Sequence, residues 1–143
     1  EEQLKIAAGE RLMLTREAVK KNGHAIEVRI YAEDPKTFFP SPGNITEFQL
    51  PQGAGIRNEC AIEAGSKVTP FYDPMIGKLI AWGNSREEAC SRIKTALEHY
   101  NIKGIKTNLS MLIEIVSHEQ FLSGYTTTQF VNKYYLNQEN KRK

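Results

Sequence analysis

The chain has 143 residues, of which 40% are hydrophobic and 25% charged, and its formal net charge is +2. This length and composition predict one folded domain, with room for a fragment of a second, and exclude an intrinsically disordered chain. The small net charge gives no reason to expect nucleic acid or a membrane as a partner. No apolar run approaches the roughly 18 residues of a spanning helix, and no signal peptide is visible, so we expect a cytoplasmic protein.

The first 22 residues predict the end of one helix and a second short helix. The segment EEQLKIAAGE is typical of the last turns of a helix, with Gly9 in the position where glycine ends one. Residues 15–22 predict a short helix that begins at Thr15 and ends at Gly23. Because the chain enters its first helix without an N-cap or an initiator methionine, we expect residues 1–22 to be the tail of a preceding domain.

Residues 24–33 alternate between apolar and polar side chains, which predicts a half-buried β-strand. Its apolar face is formed by alanine, valine and isoleucine side chains, whereas Arg29 lies on the other face between Glu27 and Tyr31. Taken alone, an arginine in this position is typical of a structural salt bridge on a sheet surface, here with Glu27.

Three further strands are predicted before the pattern changes to that of helices. Residues 44–50 and 56–62 alternate, and residues 75–82 are apolar on both faces apart from Lys78, which is typical of a central strand. Lys78 itself is interpreted as an outward-facing structural lysine. Proline-stiffened loops at 40–43 and 71–74 separate these strands.

The second half of the chain predicts helices. Ser85 and Glu88 form a capping box before an apolar stripe that runs to residue 100. Another helix is expected to begin at Thr107 or Asn108, a short one after the capping pattern at 117–120, and a last one over 126–136. Strands followed by helices predict an α+β fold with an antiparallel sheet.

Several chemistries have no motif in this sequence. Phosphate-binding glycine motifs and a nucleophile elbow are absent. Cys60 and Cys90 have no zinc-ligand spacing, and the three histidines form no metal pattern, so we expect two free thiols and no metal site. The residues alone therefore predict a soluble α+β domain with an unusual arginine strand.

Four segments, in order and with matching spacing, resemble the C-terminal domain of biotin carboxylase, the component of acetyl-CoA carboxylase and related enzymes that carboxylates biotin. The segments are HAIEVRIYAEDPKTFFPSPG, GAGIRNE, FYDPMIGKLIAWG and GIKTN. The resemblance runs from Gly23 to about Tyr135, and FPSPG is more similar to the acyl-CoA carboxylase branch than to the pyruvate carboxylase branch.

This resemblance implies a domain division and a fold. Residues 1–22 would be the tail of an ATP-grasp domain, residues 23–137 the C-terminal domain, and residues 138–143 a disordered basic tail. The implied fold is a small antiparallel β barrel-sandwich, a rudimentary hybrid motif, followed by packed helices.

The resemblance also implies an activity. ATP activates bicarbonate, and the carboxyl group passes to N1′ of biotin on a biotin carboxyl carrier protein, the first half-reaction of acetyl-CoA carboxylase in fatty acid biosynthesis. ATP and Mg²⁺ would be bound mainly by the preceding ATP-grasp domain, so this chain alone is expected to be inactive. The implied partners are the preceding domains of the same chain, the carrier protein, a second copy in a homodimer and a carboxyltransferase.

Arg29 matches the arginine of the family motif that contacts biotin and bicarbonate and is expected to stabilise the ureido oxygen when N1′ loses its proton. Such a role requires a guanidinium that is open toward an adjoining domain. Glu27 and Tyr31, its neighbours on the same face of the strand, are expected to orient Arg29. By the same resemblance, Asp73 lies beside Arg29 and is expected to fix its orientation; the alternative for Asp73 is a plain Asp-Pro turn.

Three other residues receive roles by resemblance. Arg57 and Ala54 match positions at the family's dimer interface, and the alternative for Arg57 is a solvated strand residue. Ala54 stands where close relatives can carry an aromatic residue, which leaves the strength of the interface open. Thr128 lies in a segment that approaches the adenine of ATP in relatives, although a threonine at a helix N-terminus is the alternative interpretation.

Two alternative functions remain. The domain can be a non-catalytic module for dimerisation and carrier docking, with Arg29 in a structural role. A biotin-acceptor domain is disfavoured, because the chain has no Met-Lys-Met hairpin and Met75 and Lys78 do not make one.

Overall fold

The computed structural model describes residues 1–136. The predicted tail at 138–143 therefore lies outside the described residues. The strands are β1 (His24–Tyr31), β2 (Gly43–Asn44), β3 (Glu47–Gln49), β4 (Ile56–Cys60), β5 (Lys67–Val68), β6 (Met75–Gly83) and β7 (Asn101–Lys103). The helices are α1 (Glu2–Ala7), α2 (Arg86–Glu98), α3 (Leu109–Ser117) and α4 (Glu119–Leu122), followed by a π-helical segment, Val131–Leu136.

The strands form three antiparallel sheets. The main sheet has the order β1-β6-β4, so that the long apolar strand β6 is central, as its sequence predicts. Two small sheets pair β2 with β5 and β3 with β7. The predicted antiparallel α+β class is confirmed, and the sheets of residues 1–136 do not close into a barrel.

The core lies between one face of the main sheet and helices α2 and α3. The alternating apolar side chains of β1 are buried, as predicted, and Ile30 is fully enclosed. Leu79 of β6 and Ile93 and Leu97 of α2 are also inaccessible to solvent and belong to the same cluster. Because α2 covers this face, the side chains on the opposite face of β1 point away from the core.

The predicted helix at 15–22 is wrong. These residues form only a turn at 16–18, and all of them are exposed. A helix this short needs an apolar face packed against other elements, and here no such packing exists. The end of α1 is as predicted, because Gly9 follows the helix with a φ of 86°.

The predicted strand at 44–50 is two strands that belong to different sheets. The amide of Ile45 donates to the Ser66 carbonyl beside β5, and the next amide, that of Thr46, donates to the Lys103 carbonyl of β7. The chain therefore changes partners at the buried Ile45. Strands β5 and β7, of two and three residues, have no counterpart in the prediction.

The helix caps agree in part with the predicted ones. Ser85 Oγ accepts the amide of Glu88 at 3.2 Å, but the Glu88 carboxylate accepts the amide of Asn84 rather than that of Ser85. The cap of α4 is His118, whose Nδ1 accepts the amide of Gln120. The final segment forms a π-helix that begins at Val131, five residues later than predicted.

Cys60 and Cys90 are both free, as predicted. Of the helices described over residues 1–136, none combines the length and apolar character that crossing a bilayer requires.

Candidate functional site

Arg29 lies in the middle of β1, on the face that points away from the core. Because side chains of a strand alternate between faces, Glu27 and Tyr31 share this outer face with it. The Arg29 side chain is 57% exposed, and its Nε lies 3.9 Å from Glu27 Oε1, at the outer limit of an ion pair. The guanidinium is therefore turned outward, as its predicted role requires, and only loosely held by Glu27.

The pKa of Arg29 is raised above its ordinary value. The main cause is the Tyr31 side chain, first through a hydrogen bond and then through its charge; burial opposes the increase, and the negative charges of Glu27 and Asp73 make smaller contributions to it. A guanidinium is already protonated at every physiological pH, so this shift changes no charge.

The backbone of β1 around Arg29 is fixed by Asn108, the residue before α3. Asn108 Oδ1 accepts the Tyr31 amide at 2.9 Å, and Asn108 Nδ2 donates to the Arg29 carbonyl at 3.1 Å. In addition, the Asn108 amide donates to the Tyr31 carbonyl at 3.2 Å. The sequence predicts Asn108 only as a possible helix cap, because nothing local reveals partners that lie almost eighty residues away.

Charged side chains continue across the outer face of the sheet. Arg29 is paired in register with Lys78 of β6, and Lys78 with Glu59 of β4. Arg57, two residues from Glu59, is on the same face, and its Nε lies 3.0 Å from Glu59 Oε1. Directly opposite residues in a sheet have Cβ atoms about 5 Å apart, so Arg29, Lys78 and Glu59 form one row.

Asp73 lies in the loop before β6. Its Oδ1 accepts the amide of Met75 at 2.7 Å, which is the Asp-Pro turn named as its alternative role. The amide of Ala32 donates to the Pro74 carbonyl, so this turn is fastened to the end of β1. Burial, and secondarily the charge of Asp73, raise the pKa of Glu33. Asp73 is thus close enough to influence both Arg29 and Glu33.

A second contact fastens the loop after β1. Lys106 Nζ lies 2.6 Å from Asp34 Oδ2, and the same carboxylate accepts the amides of Lys36 and Thr37. Lys106 first, and then these amides, hold the pKa of Asp34 well below its usual range. The amide of Lys106 donates to Ser41 Oγ. Residues 104–108 therefore fix both the end of β1 and the loop that follows it.

Ala54 and Thr128 do not lie beside Arg29 on the outer face. Ala54 is in an exposed turn before β4 and lines a cleft of about 380 Å³ with Arg92 and His99, on the side covered by α2. Thr128 is exposed in a turn before the π-helical segment, and the hydroxyl of Thr127, not of Thr128, accepts the amide of Gln129.

No metal-binding cluster is present in the part of the chain that the structure describes. Over residues 1–136, no three histidine, cysteine, aspartate or glutamate side chains come close enough together to hold a metal ion. The outer face of β1 presents the Arg29 guanidinium, a cation that donates hydrogen bonds, on a paired strand.

The sequence and the fold match known biotin carboxylases. The family "Biotin carboxylase C-terminal domain" matches residues 27–133. Biotin carboxylase 2 of Bacillus subtilis is 54% identical over 134 residues, which are 94% of this chain and 30% of the relative. Biotin carboxylase of Halalkalibacterium halodurans is 56% identical over 132 residues, 92% of this chain and 29% of the relative.

A solved structure has the same fold. It is the biotin carboxylase domain dimer of Hydrogenobacter thermophilus 2-oxoglutarate carboxylase, in complex with MgADP, ADP and bicarbonate. It is 45% identical, has a TM-score of 0.90, and aligns with 92% of this chain and 29% of its own. This chain spans less than a third of the relatives it matches. On these matches, the chain belongs to the biotin carboxylase C-terminal domain family.

Proposed function

We propose that this chain is the C-terminal part of an enzyme that uses ATP and bicarbonate to carboxylate N1′ of biotin on a carrier protein, and that Arg29 acts on the reacting groups. The observation that carries the proposal is the outward guanidinium of Arg29 on a strand whose backbone is fixed on both sides. One side is paired with β6, and the other is bonded to Asn108.

The proposed role of Arg29 follows from the chemistry of its side chain. Removal of the N1′ proton places negative charge on the ureido oxygen of biotin. A guanidinium offers a rigid fork of N–H donors and stays charged at every physiological pH. A donor that is already aimed at a developing oxyanion can increase a rate on the order of 100- to 1000-fold.

Glu27, Tyr31 and Asp73 are proposed to orient Arg29. The exposed pair with Glu27, at 3.9 Å, leaves most of the guanidinium donors available for a ligand. Tyr31 contributes the strongest influence on its pKa, and Asp73 adds a more distant negative charge. A cation held in this way keeps its direction without being neutralised by a tight carboxylate pair.

The remaining parts of the activity are assigned to residues outside this chain. The relatives are more than three times as long, and the Hydrogenobacter dimer is in complex with MgADP and bicarbonate. We therefore propose that ATP and Mg²⁺ bind mainly to a preceding ATP-grasp domain, that residues 1–22 connect to it, and that this chain alone is inactive. The exposed, unpacked state of residues 9–22 supports a connecting role.

The proposal extends to the assembly. Arg57 and Ala54 are assigned to a homodimer interface, and Thr128 to the neighbourhood of adenine. The biotin carboxyl carrier protein and a carboxyltransferase are the proposed partners, in the cytoplasm. We also propose that the enzyme is part of an acetyl-CoA carboxylase and acts in fatty acid biosynthesis. This is the most specific part of the proposal, because the biotin carboxylase domain of a 2-oxoglutarate carboxylase has the same fold at 45% identity. The barrel-sandwich arrangement stays a prediction for the complete enzyme.

A non-catalytic docking module is the second candidate function. It is favoured by three exposed aromatic side chains in or next to the proline-stiffened loops: Phe39, Phe71 and Tyr72 are 72%, 85% and 83% exposed. Exposed apolar side chains form a contact surface where they lie together as a patch, which is the role this candidate gives them. In this candidate, Arg29 would only stabilise the sheet.

Replacement of Arg29 by alanine in the complete enzyme separates the two candidates. ATP-dependent carboxylation of free biotin and the dimer fraction are measured on the same preparation. The proposed function requires activity to fall while the dimer persists. Unchanged activity per folded site, with loss of the dimer, would establish the docking module instead.

A further inference from the structure

We propose that Asn108 is a positioning residue for Arg29. This role rests on the proposed function of Arg29 and adds to it a residue 79 positions later in the chain. The observation behind it is a set of three hydrogen bonds between Asn108 and the backbone of residues 29 and 31.

The contact replaces a missing neighbouring strand. β1 is at the edge of the main sheet, with β6 on one side only. Backbone N–H and C=O groups on the open side of an edge strand need other partners. Asn108 supplies them: its side-chain amide donates to the Arg29 carbonyl and accepts from the Tyr31 amide, while its own backbone amide donates to the Tyr31 carbonyl.

Burial makes this contact important. Asn108 is 2% exposed, and among residues 1–136 it is the one buried residue whose side chain is an amide or a charged group. A buried amide is satisfied only by matched partners, and removal of its side chain would leave the Tyr31 N–H and the Arg29 carbonyl without theirs. The strand would then have to move at the residue that carries the guanidinium.

The side chain of Asn108 is not used as a helix cap. Asn108 precedes α3 in the N-cap position, yet its side chain makes no capping hydrogen bond to that helix. Both polar atoms of the amide are instead engaged by β1. The position needs one donor and one acceptor on a short side chain, and asparagine has both, whereas an ionised aspartate has only acceptors.

Arg29 depends on this backbone contact because its side chain is mostly exposed and its ion pair with Glu27 is weak. The guanidinium is 57% exposed, and its nearest carboxylate is at 3.9 Å. In a strand, the direction of a side chain is set by the backbone that carries it. Asn108 and β6 hold that backbone from opposite sides, so Asn108 fixes the position and direction from which the Arg29 side chain extends.

The test uses the complete carboxylase that contains this domain, with Asn108→Ala, the milder Asn108→Ser, and Asn58→Ala as the matched control. Asn58 also donates a side-chain hydrogen bond to a backbone carbonyl, that of Pro51, from the partly buried face of β4. We expect Asn108→Ala to lower kcat for free biotin about 10- to 100-fold, with KM for ATP unchanged, as for a small misplacement of a reacting group. Asn108→Ser should lower it less, and Asn58→Ala should have kcat within about 2-fold of wild type.

A double-mutant cycle distinguishes positioning from general destabilisation. If Asn108 acts through Arg29, Asn108→Ala should change kcat per folded enzyme by less than about 2-fold in the Arg29→Ala background. An equal fall in both backgrounds would overturn the inference, as would a kcat within about 2-fold of wild type for Asn108→Ala alone. Should Asn108→Ala not fold, the same cycle is carried out with Asn108→Ser.

A measurement that does not depend on enzyme activity tests the role of Asn108 separately from the proposed function of Arg29. Hydrogen–deuterium exchange at the Tyr31 amide should become faster in Asn108→Ala and Asn108→Ser but not in Arg29→Ala. Unchanged exchange would refute the clamp, that is, the three hydrogen bonds by which Asn108 holds β1, even if Arg29 is catalytic. Faster exchange, together with an Arg29→Ala enzyme of normal kcat, would instead show that the clamp exists and that the proposed role of Arg29 is wrong.

Discussion

Lys106 and Asp34 are 72 residues apart in the chain, and their side chains meet at 2.6 Å between Nζ and Oδ2. This ion pair joins the loop before α3 to the loop after β1. Asn108, two residues after Lys106, forms hydrogen bonds with β1 itself. The loop at 104–108 therefore holds both the strand that carries Arg29 and the loop that follows this strand.

The Asp34–Lys106 pair predicts a pH-dependent stability. The folded pKa of Asp34 is held well below its ordinary value of 3.8, first by Lys106 and then by the Lys36 and Thr37 amides. A depressed carboxyl pKa contributes stability above the unfolded pKa, and the contribution is lost as pH falls from there toward the folded pKa. Asp34→Asn should therefore unfold at a lower temperature than wild type at pH 7.

The difference in unfolding temperature between wild type and Asp34→Asn should become smaller below about pH 4, where the Asp34 carboxyl of the unfolded chain becomes protonated. Thermal unfolding of the chain at a series of pH values measures it. Asparagine keeps an acceptor for the Lys36 and Thr37 amides but loses the oxygen that accepts from Lys106 Nζ, so the comparison measures the charge together with its bond to Lys106. A gap of constant size between pH 7 and pH 3 would contradict this account.

Gly104 should tolerate substitution much less than Gly65. Both have positive φ angles, +98° and +91°, so alanine is strained at either position. A Cβ on Gly104 would lie 2.0 Å from the Asn44 carbonyl oxygen, whereas a Cβ on Gly65 would meet nothing within 4 Å. Gly65→Ala should cost about 1–2 kcal/mol of strain.

Gly104→Ala should cost more than about 3 kcal/mol, since the strands β2 and β7 must also separate to relieve the clash. Urea denaturation of both variants provides the comparison. Equal costs for the two would show that the close approach of Gly104 to β2 is not present in solution.

Leu79 tests the position of the core. It is fully buried in the central strand β6, beneath α2. Leu79→Ala should lower the free energy of unfolding by about 2–5 kcal/mol, through lost burial and the cavity left behind. Leu4→Ala is the matched control, because Leu4 is 76% exposed and should change stability by less than about 0.5 kcal/mol. Comparable losses at the two positions would mean that the core lies elsewhere.

Arg57 should affect assembly rather than folding. Its intrachain pair with Glu59 is exposed, with side-chain accessibilities of 70% and 55%, and exposed pairs contribute about 0–1 kcal/mol. In the complete enzyme, Arg57→Ala should therefore leave thermal unfolding of the monomer nearly unchanged while weakening the dimer about 10-fold or more. Sedimentation velocity over a concentration series measures the dimer. An unaltered dimer would assign Arg57 to the solvated surface.

The long strands and α2 could be predicted because their signals are local. The alternation of β1, the continuous apolar run of β6 and the serine cap of α2 each lie within a few residues of one another. The strands β2, β5 and β7 are too short for any period to show, and their pairing is decided by which segment lies alongside. For the same reason the change of partner at Ile45 is not visible in the sequence.

Of the candidate site, the sequence predicts the side chains that lie together on one strand but not the contact that fixes their backbone. The pattern identifies Arg29 with its neighbours Glu27 and Tyr31 on the outer face, and the structure places them there. The clamp by Asn108 depends on contacts across 77 and 79 residues, which no local pattern encodes. The helix expected at 15–22 failed because propensity alone does not stabilise a segment that buries nothing.

The most direct test of the account is kcat for ATP-dependent carboxylation of free biotin by the complete enzyme with Arg29→Ala. Arg29→Lys keeps the charge without the fork of donors, and Lys67→Ala removes an exposed cation from another sheet as the matched control. We predict a decrease on the order of 100- to 1000-fold for Arg29→Ala, a smaller one for Arg29→Lys and none for Lys67→Ala, with the dimer intact in all three. A folded, dimeric Arg29→Ala enzyme with kcat within about 3-fold of wild type would contradict the account.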